Sequence, residues 1–423
     1  MFLGISHNHL NFNILLTYLT DIALSSKHIN FFMDKSFKTF LKHTAKDFHN
    51  HSVNPPVVRA STIIFKSMND IRRTQAKYKR DPRGGYFDYG RQGTSTTHIL
   101  SKILTRLEES YHVFLTPTGF GAVFLAIFSV VRPGDEILTA DPVYNPTRML
   151  TQDYLTEFGV KTTFYNPHDL NSIKKNITKK TKLIFVENPG SNTFEFQDLS
   201  KIISIAKKNK ILTAIDNTWA TPYFFKPIKL GFDMAIVSAT KYYSGHSDVM
   251  GGSLAVNKKV FKHVEKAQKI TGLRLGPDDA YLITRGLRTL DVRLDKHEEN
   301  AKKVAAFLSK NKKIKLLYPY KKGSFNYKMW KKYYSGASGL MGIKIKTKNK
   351  NSVIKFVNSL KLFGYGYSWG GFESLALHQG KSERGNRKYL NLDNDERLVR
   401  LHIGLEDPKD LIEDLRKSLK FVR

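Results

Sequence analysis

Met234-Ala-Ile-Val237 followed by Ser238-Ala-Thr-Lys-Tyr-Tyr-Ser-Gly-His-Ser-Asp248 is the stretch on which the fold is read. An apolar run of that length, stopped by small polar residues, reads as a short buried strand that ends in a loop. Open α/β sheets hold their ligands at such strand ends. Lys241 is therefore placed where an amine can act as a nucleophile toward the carbonyl of a cofactor. Ser238, Thr240 and Ser244 offer compact hydrogen-bonding groups around it, and Gly245, Gly251 and Gly252 let backbone approach something bulky. In a chain this rich in lysine, a solvated side chain at a loop edge is the plain alternative.

Working outward, Ile211-Leu-Thr-Ala-Ile215 is a second buried-strand candidate, and it ends at Asp216. A carboxylate in that place is costly unless a cation or hydrogen-bond donors meet it. Neighbouring strands ending in Asp216 and Lys241 can grip opposite sides of a heteroaromatic cation, although a plain Asp216–Lys241 ion pair would satisfy the same pattern. Further upstream, Val113-Phe-Leu115 leads into Thr116-Pro-Thr-Gly-Phe-Gly121 and an apolar helical stretch from Ala122 to Val131. The start of that helix places an anion, such as a phosphate, on the backbone of Gly119 and Phe120. Ile137–Ala140 and Lys182–Glu187 repeat the strand-then-loop plan, the first putting Tyr144 where it can stack on a flat ring. Asp198 is positioned to cap a helix whose Leu199, Ile202, Ile203 and Ala206 form one apolar face. Alternation of short apolar runs with helical patterns marks an α/β architecture.

Both flanks of this central third read differently. Asp34 to about Arg83 is polar, broken by Pro55-Pro56 and dense in charge, which predicts a solvated arm. In Gly85-Tyr-Phe-Asp-Tyr-Gly-Arg-Gln-Gly-Thr94, an extended backbone would point Tyr89 and Arg91 the same way, toward one anionic ligand. Beyond Gly286-Leu-Arg-Thr-Leu290 the pattern becomes a long helix with Ala301, Val304, Ala305 and Leu308 on one face, and a domain boundary is placed there. A strand at Gly339–Ile345, a helix near Ser352–Leu362 and a last strand at Leu398–Gly404 follow. Arg400 alternates away from the more uniformly apolar face of that last strand, and a strand-borne arginine suits bidentate capture of a carboxylate.

The whole chain limits the alternatives. Its 423 residues, 41% hydrophobic and 12% aromatic, suffice for a large core in two domains with an arm. A formal charge of +32 invites a nucleic-acid reading. The basic residues are nevertheless spread along the chain with no nucleic-acid module, so no specific nucleic-acid partner is expected. Without cysteine, disulfides and thiolate metal sites are excluded, which suits a reducing compartment such as the cytoplasm. No apolar run reaches the roughly 18 residues of a membrane span. Ile14–Leu19 makes a poor secretory signal because no Lys or Arg precedes it. Residues 1–32 are expected to be a dispensable extension before Met33.

The motifs together resemble a known family. Tyr89-Gly-Arg91, Pro142-Val-Tyr144, Glu187-Asn-Pro-Gly190, Ile215-Asp-Asn-Thr-Trp-Ala220, Ser238-Ala-Thr-Lys241 with Gly245-His-Ser-Asp248, Tyr281–Leu290, Tyr367-Ser-Trp-Gly-Gly371 and Arg400–Asp407 occur in the order found in the Cys/Met-metabolism family of pyridoxal phosphate enzymes. The likeness runs from about Val57 to the C-terminus. It implies a fold-type I transferase-like α/β architecture: a large domain with a mostly parallel seven-stranded sheet and a smaller C-terminal α/β domain. The corresponding division is arm 1–92, cofactor domain 93–287 and small domain 288–423.

By the same resemblance, Lys241 carries pyridoxal 5'-phosphate and then moves a proton, and Asp216 holds the ring nitrogen. Tyr144 stacks on the ring, while Gly119, Phe120, Ser238 and Thr240 bind the phosphate. Tyr89 and Arg91 join from a partner chain, Tyr89 also facing the substrate and serving the chemistry together with Lys241 and Tyr144. Arg400, supported by Ser368 and Trp369, takes the substrate α-carboxylate. Gln92 departs from the pattern, since relatives often carry a second arginine there. A homotetramer built as a dimer of dimers, with sites shared between subunits, is implied. The Tyr-Ser-Trp-Gly-Gly segment and the Asn-Thr-Trp after Asp216 favour the β-lyase branch, which cleaves L-cystathionine to homocysteine, pyruvate and ammonia. The γ-lyase, γ-synthase and cysteine-S-conjugate lyase chemistries of the family are the alternatives, with a basic nucleic-acid-binding protein on an enzyme fold as a remote one.

Overall fold

The computed structural model describes residues 36–44, 52–320, 322–347, 349–379, 387–390 and 396–422. The extension at 1–32, with Ile14–Leu19 and Met33, lies outside the described residues. Seven strands form the larger sheet: β1 (His112–Thr116), β2 (Glu136–Ala140), β3 (Lys161–Tyr165), β4 (Thr181–Glu187), β5 (Leu212–Asp216), β6 (Met234–Ser238) and β7 (Gly252–Val256). Their order is β1-β7-β6-β5-β4-β2-β3. Only β7 runs against its neighbours. The sheet is thus mostly parallel, as the resemblance implied. Near-continuous apolar runs such as Met234–Val237 are what a sheet covered on both faces requires, and those residues are fully buried.

The parallel arrangement brings the C-terminal ends of β1, β2, β4, β5 and β6 to one edge. In register, Glu187 pairs with Asp216, and Ser238 pairs with Gly252 on β7. Each strand end turns into a loop or helix there, so chemically useful side chains collect without any long-range device. The helix Gly119–Phe128 starts at this edge and buries Ala122, Val123, Leu125, Ala126 and Ile127 against the sheet.

A second sheet, order β10-β11-β9-β8, is antiparallel throughout: β8 (Ile314–Leu317), β9 (Leu340–Lys346), β10 (Leu375–Gln379) and β11 (Glu396–His402). The helix Leu290–Leu308 packs beside it and buries Ala301, Val304, Ala305 and Leu308, the face read from the sequence. We propose the division of the chain at 92/93 and 287/288; the second point falls in the turn between helices Pro277–Leu287 and Leu290–Leu308.

Several expectations need correction. The charged arm contains a helix, Met68–Arg80, rather than only loop. It fully buries none of its residues; Met68, Ile71 and Tyr78 share one face, but the charged residues around them masked that spacing in the sequence. Asp198 stands at the start of the helix Leu199–Lys208 but makes no side-chain cap. Tyr333 and Lys332 claim its carboxylate instead. Gly90–Gln92 is a 3₁₀ turn, so Tyr89 and Arg91 are not aligned by extended backbone. They meet all the same, the guanidinium lying 5.6 Å from the tyrosine ring. The first described helix, Phe37–Lys42, docks on its own chain through Lys42 and Asp291.

Candidate active site

Strand ends of the large sheet and one loop of the small domain enclose a cleft of about 770 Å³, lined among others by Gly119, Tyr144, Asp216, Ser238, Lys241 and Arg400. Phe120, Thr240, Ser368 and Trp369 line it too. The structure therefore brings together ten of the expected residues, all but Tyr89 and Arg91, which do not line the cleft of their own chain. Tyr89 is 46% exposed, and Arg91 donates to the Lys269 carbonyl at 3.3 Å.

The floor is built from backbone. Thr118 caps the helix Gly119–Phe128, its hydroxyl accepting from Gly121 N at 2.8 Å. That leaves the amides of Gly119 and Phe120 in the first turn, where no intrahelical acceptor exists. A Cβ on Gly119 would overlap the Ser238 side chain. Only glycine lets the helix start approach Ser238 this closely, and the resulting cradle of amides and a hydroxyl suits a phosphate. Thr218 ties two strand ends together: its amide donates to Asp216 Oδ1 at 2.9 Å, and its hydroxyl accepts from Ser238 N at 2.9 Å.

Electrostatics complete the floor. Burial raises the Asp216 carboxyl above its usual range, opposed by Thr218 and by the Lys241 charge. A carboxylate desolvated beyond what its neighbours offset favours a further cation, which a protonated ring nitrogen supplies. Burial, aided by the Arg400 charge, pushes the Lys241 amine down to about 8 against the pull of Asp216. Tyr144, 47% exposed, is held by its own amide, which donates to Glu187 Oε2 at 2.6 Å.

The wall is a turn from the small domain. Lys241 Nζ donates to Ser368 Oγ at 2.5 Å and lies 5.4 Å from the centre of the Trp369 ring. Arg400 Nη2 donates to the Ser368 carbonyl at 3.1 Å. Ser368 thus touches both cations of the site. Arg400 shares its strand face with Leu398 and His402, both buried, so that face is closed rather than solvated.

Some neighbours of Lys241 serve the protein instead of a ligand. The Ser244 hydroxyl is buried and donates to the carbonyls of Thr240 and Lys241, closing the turn. Close approach at Gly245, Gly251 and Gly252 is to Arg293, Ile283 and the Thr118 carbonyl, not to a bound group. Conversely, Thr218, Glu187 and His402 received no role from the sequence. Glu187 had one signal, a carboxylate ending an apolar strand like Asp216. Thr218 and His402 had none, since their function lies in what they meet across the fold.

A cradle of amides and a hydroxyl, a buried carboxylate and a depressed lysine amine around one cleft are the groups an α/β enzyme needs to hold an anionic heteroaromatic aldehyde. The chain belongs to the Cys/Met metabolism PLP-dependent enzyme family, whose model matches residues 38–420. It is 37% identical over 377 residues to a putative cystathionine beta-lyase of Rhizobium johnstonii, covering 88% of this chain and 92% of that one. It is 36% identical over 376 residues to the L-alanine/L-glutamate racemase of Wolbachia pipientis wMel, covering 87% and 92%. A solved cystathionine gamma synthase of Xanthomonas oryzae pv. oryzae, in complex with cystathionine, superposes with TM-score 0.83 at 28% identity over 92% of this chain and 98% of that one. The cofactor is pyridoxal phosphate, and the cleft residues fit it. Among the described residues no helix is long and apolar enough to cross a membrane.

Proposed function

We propose that the protein is a carbon–sulfur β-lyase that cleaves L-cystathionine to homocysteine, pyruvate and ammonia. The observation that carries this reading is the Lys241 amine, depressed to about 8, set between Asp216 and a seryl–arginine carboxylate clamp. Pyridoxal phosphate, when bound, supplies an electron sink for the bond broken at Cα. Everything else is done by the chain. Gly119, Phe120, Ser238 and Thr240 hold the phosphate, with Tyr89 and Arg91 of a second chain, and Tyr144 covers the ring. Asp216 keeps the ring nitrogen protonated. Arg400 takes the α-carboxylate in two parallel hydrogen bonds, with Ser368 and Trp369 fixing its approach. Lys241 would hold the cofactor by its aldehyde. Its amine, poised near neutrality, removes the proton from Cα, the Cβ–S bond breaks to release the thiolate of homocysteine, and water hydrolyses the remaining three-carbon enamine to pyruvate and ammonia.

The deciding experiment is product analysis with L-cystathionine. Pyruvate together with homocysteine supports the reading; 2-oxobutyrate reassigns the enzyme to γ-elimination. A second reading is racemisation of alanine and glutamate, favoured by the racemase among the relatives. It uses the same proton abstraction at Cα but returns a proton to the opposite face. Conversion of L-alanine to D-alanine without keto-acid release would establish it.

A further inference from the structure

Ser368 occupies the left-handed region at φ 76°, where a residue with a side chain is disfavoured. Such a conformation persists only when its surroundings over-determine it. The bonds from Lys241 and Arg400 hold the seryl residue itself. Its continuation, Gly370 and Gly371, is held from beneath. Gly370, at φ 89°, lies so close to Lys241 that a Cβ there would stand 3.0 Å from the lysine Cα, C and Cβ atoms. The turn therefore rests directly on the backbone of the lysine.

The group beneath it is His402, on β11 in line with Arg400. Its Nε2 lies 3.1 Å from both Gly370 N and Gly371 O. The ring is fully buried, packed 5.2 Å from the His297 ring and 6.0 Å from the Tyr242 ring, and its Nδ1 has no hydrogen-bond partner among the described residues. Burial, then His297, keeps it neutral. One nitrogen of a neutral ring either accepts or donates, so Nε2 chooses between the Gly370 amide and the Gly371 carbonyl. Accepting from Gly370 pins the turn where it abuts the Lys241 backbone. This bond uses a side chain that neither binds cofactor nor meets substrate.

We propose that His402 is a positioning residue: it holds the Ser368–Gly371 turn against Lys241 and so sets where the lysine amine and the Arg400 guanidinium face the amino acid. The assignment rests on the cleft being an amino-acid site. Three variants of the holoenzyme test it. His402→Phe keeps a buried ring without the bond; His402→Gln reaches both Gly370 and Gly371 with an amide; His402→Asn is too short. In His402→Phe, deuterium uptake at backbone amides 368–371 should quicken. The pH midpoint of the bound-cofactor absorbance, measured without substrate, should move. Half-saturation with L-cystathionine should rise roughly tenfold, the loss of about one charge-neutral hydrogen bond, while kcat changes less. His402→Gln should restore all three, and His402→Asn should not. Wild-type exchange and midpoint in His402→Phe, or equal damage in His402→Gln and His402→Phe, overturns the proposal. Should His402→Phe not fold, the glutamine and asparagine variants decide alone, and like behaviour of the two rejects it. A wild-type enzyme that releases no pyruvate from cystathionine sinks the lyase reading, yet the exchange and absorbance measurements still judge His402.

Discussion

The floor and the wall of the cleft reach the same lysine by different means. On the floor, Gly119, Asp216 and Ser238 sit at a helix start and two strand ends, tied by backbone amides through Thr118 and Thr218. On the wall, one side-chain bond joins the Ser368 turn to Lys241 of the large domain, and Arg400 and His402 hold the turn from within the small domain. Strand ends in a packed sheet cannot shift without disturbing a fully buried core. A turn held by a few polar bonds can. The floor is therefore suited to fixed cofactor chemistry, and the wall to admitting, orienting and releasing a substrate.

That contrast predicts separable kinetic effects. Lys241→Ala should cost the most, a fall in pyruvate release of roughly a thousandfold or more, since general-base removal alone accounts for 10²–10⁴. Steady-state assay within about tenfold of wild type would remove Lys241 from the chemistry. Asp216→Asn should follow, with kcat down about a hundredfold and KM nearly unchanged, because an amide cannot hold the ring nitrogen protonated. A rise in KM alone would move Asp216 to the substrate side of the comparison.

Arg400→Lys should act mainly on binding. Replacing a fork by a point charge forfeits about 1.5–3 kcal/mol of charge-assisted bonding, or a KM roughly 10–100-fold higher with kcat largely kept. A selective fall in kcat would erase the distinction between wall and floor. The smallest effect joins the two. In cofactor-free protein the Lys241 amine titrates at about 8, so capture of added pyridoxal phosphate should quicken as pH rises through that value and then level off. Arg400 is one cause of the depression. Arg400→Met should therefore raise the midpoint and slow capture at pH about 8; stopped-flow absorbance across pH checks the sign, and an unmoved or lowered midpoint contradicts it.

Legibility followed the same division. The strands carrying the floor were readable because each is an apolar run ended by a polar residue. The four strands that went unread, β3, β7, β8 and β10, carry polar, glycine or basic residues within short runs, as in Lys161-Thr-Thr and Gly252-Ser. Met68–Arg80 was missed because basic residues surround its sparse apolar face of Met68, Ile71 and Tyr78. Arg400 was legible as a strand arginine. That its face is closed to water was not, because Leu398 and His402 beside it are buried and the Gly370–Gly371 turn bonds to His402.

By itself the sequence determined the α/β class and the strand ends, since apolar periodicity and the residue that interrupts it are local properties of the chain, while Lys241, Asp216 and Arg400 were singled out by the motifs that resemble the family. Tertiary structure alone decided that Ser368 lies within 2.5 Å of Lys241 across a separation of 127 residues, that the glycines after the lysine make room for protein, and that a buried histidine lies under the turn. Those facts depend on which distant segments pack together. No spacing along one strand encodes them, because the energy of each contact belongs to the pair.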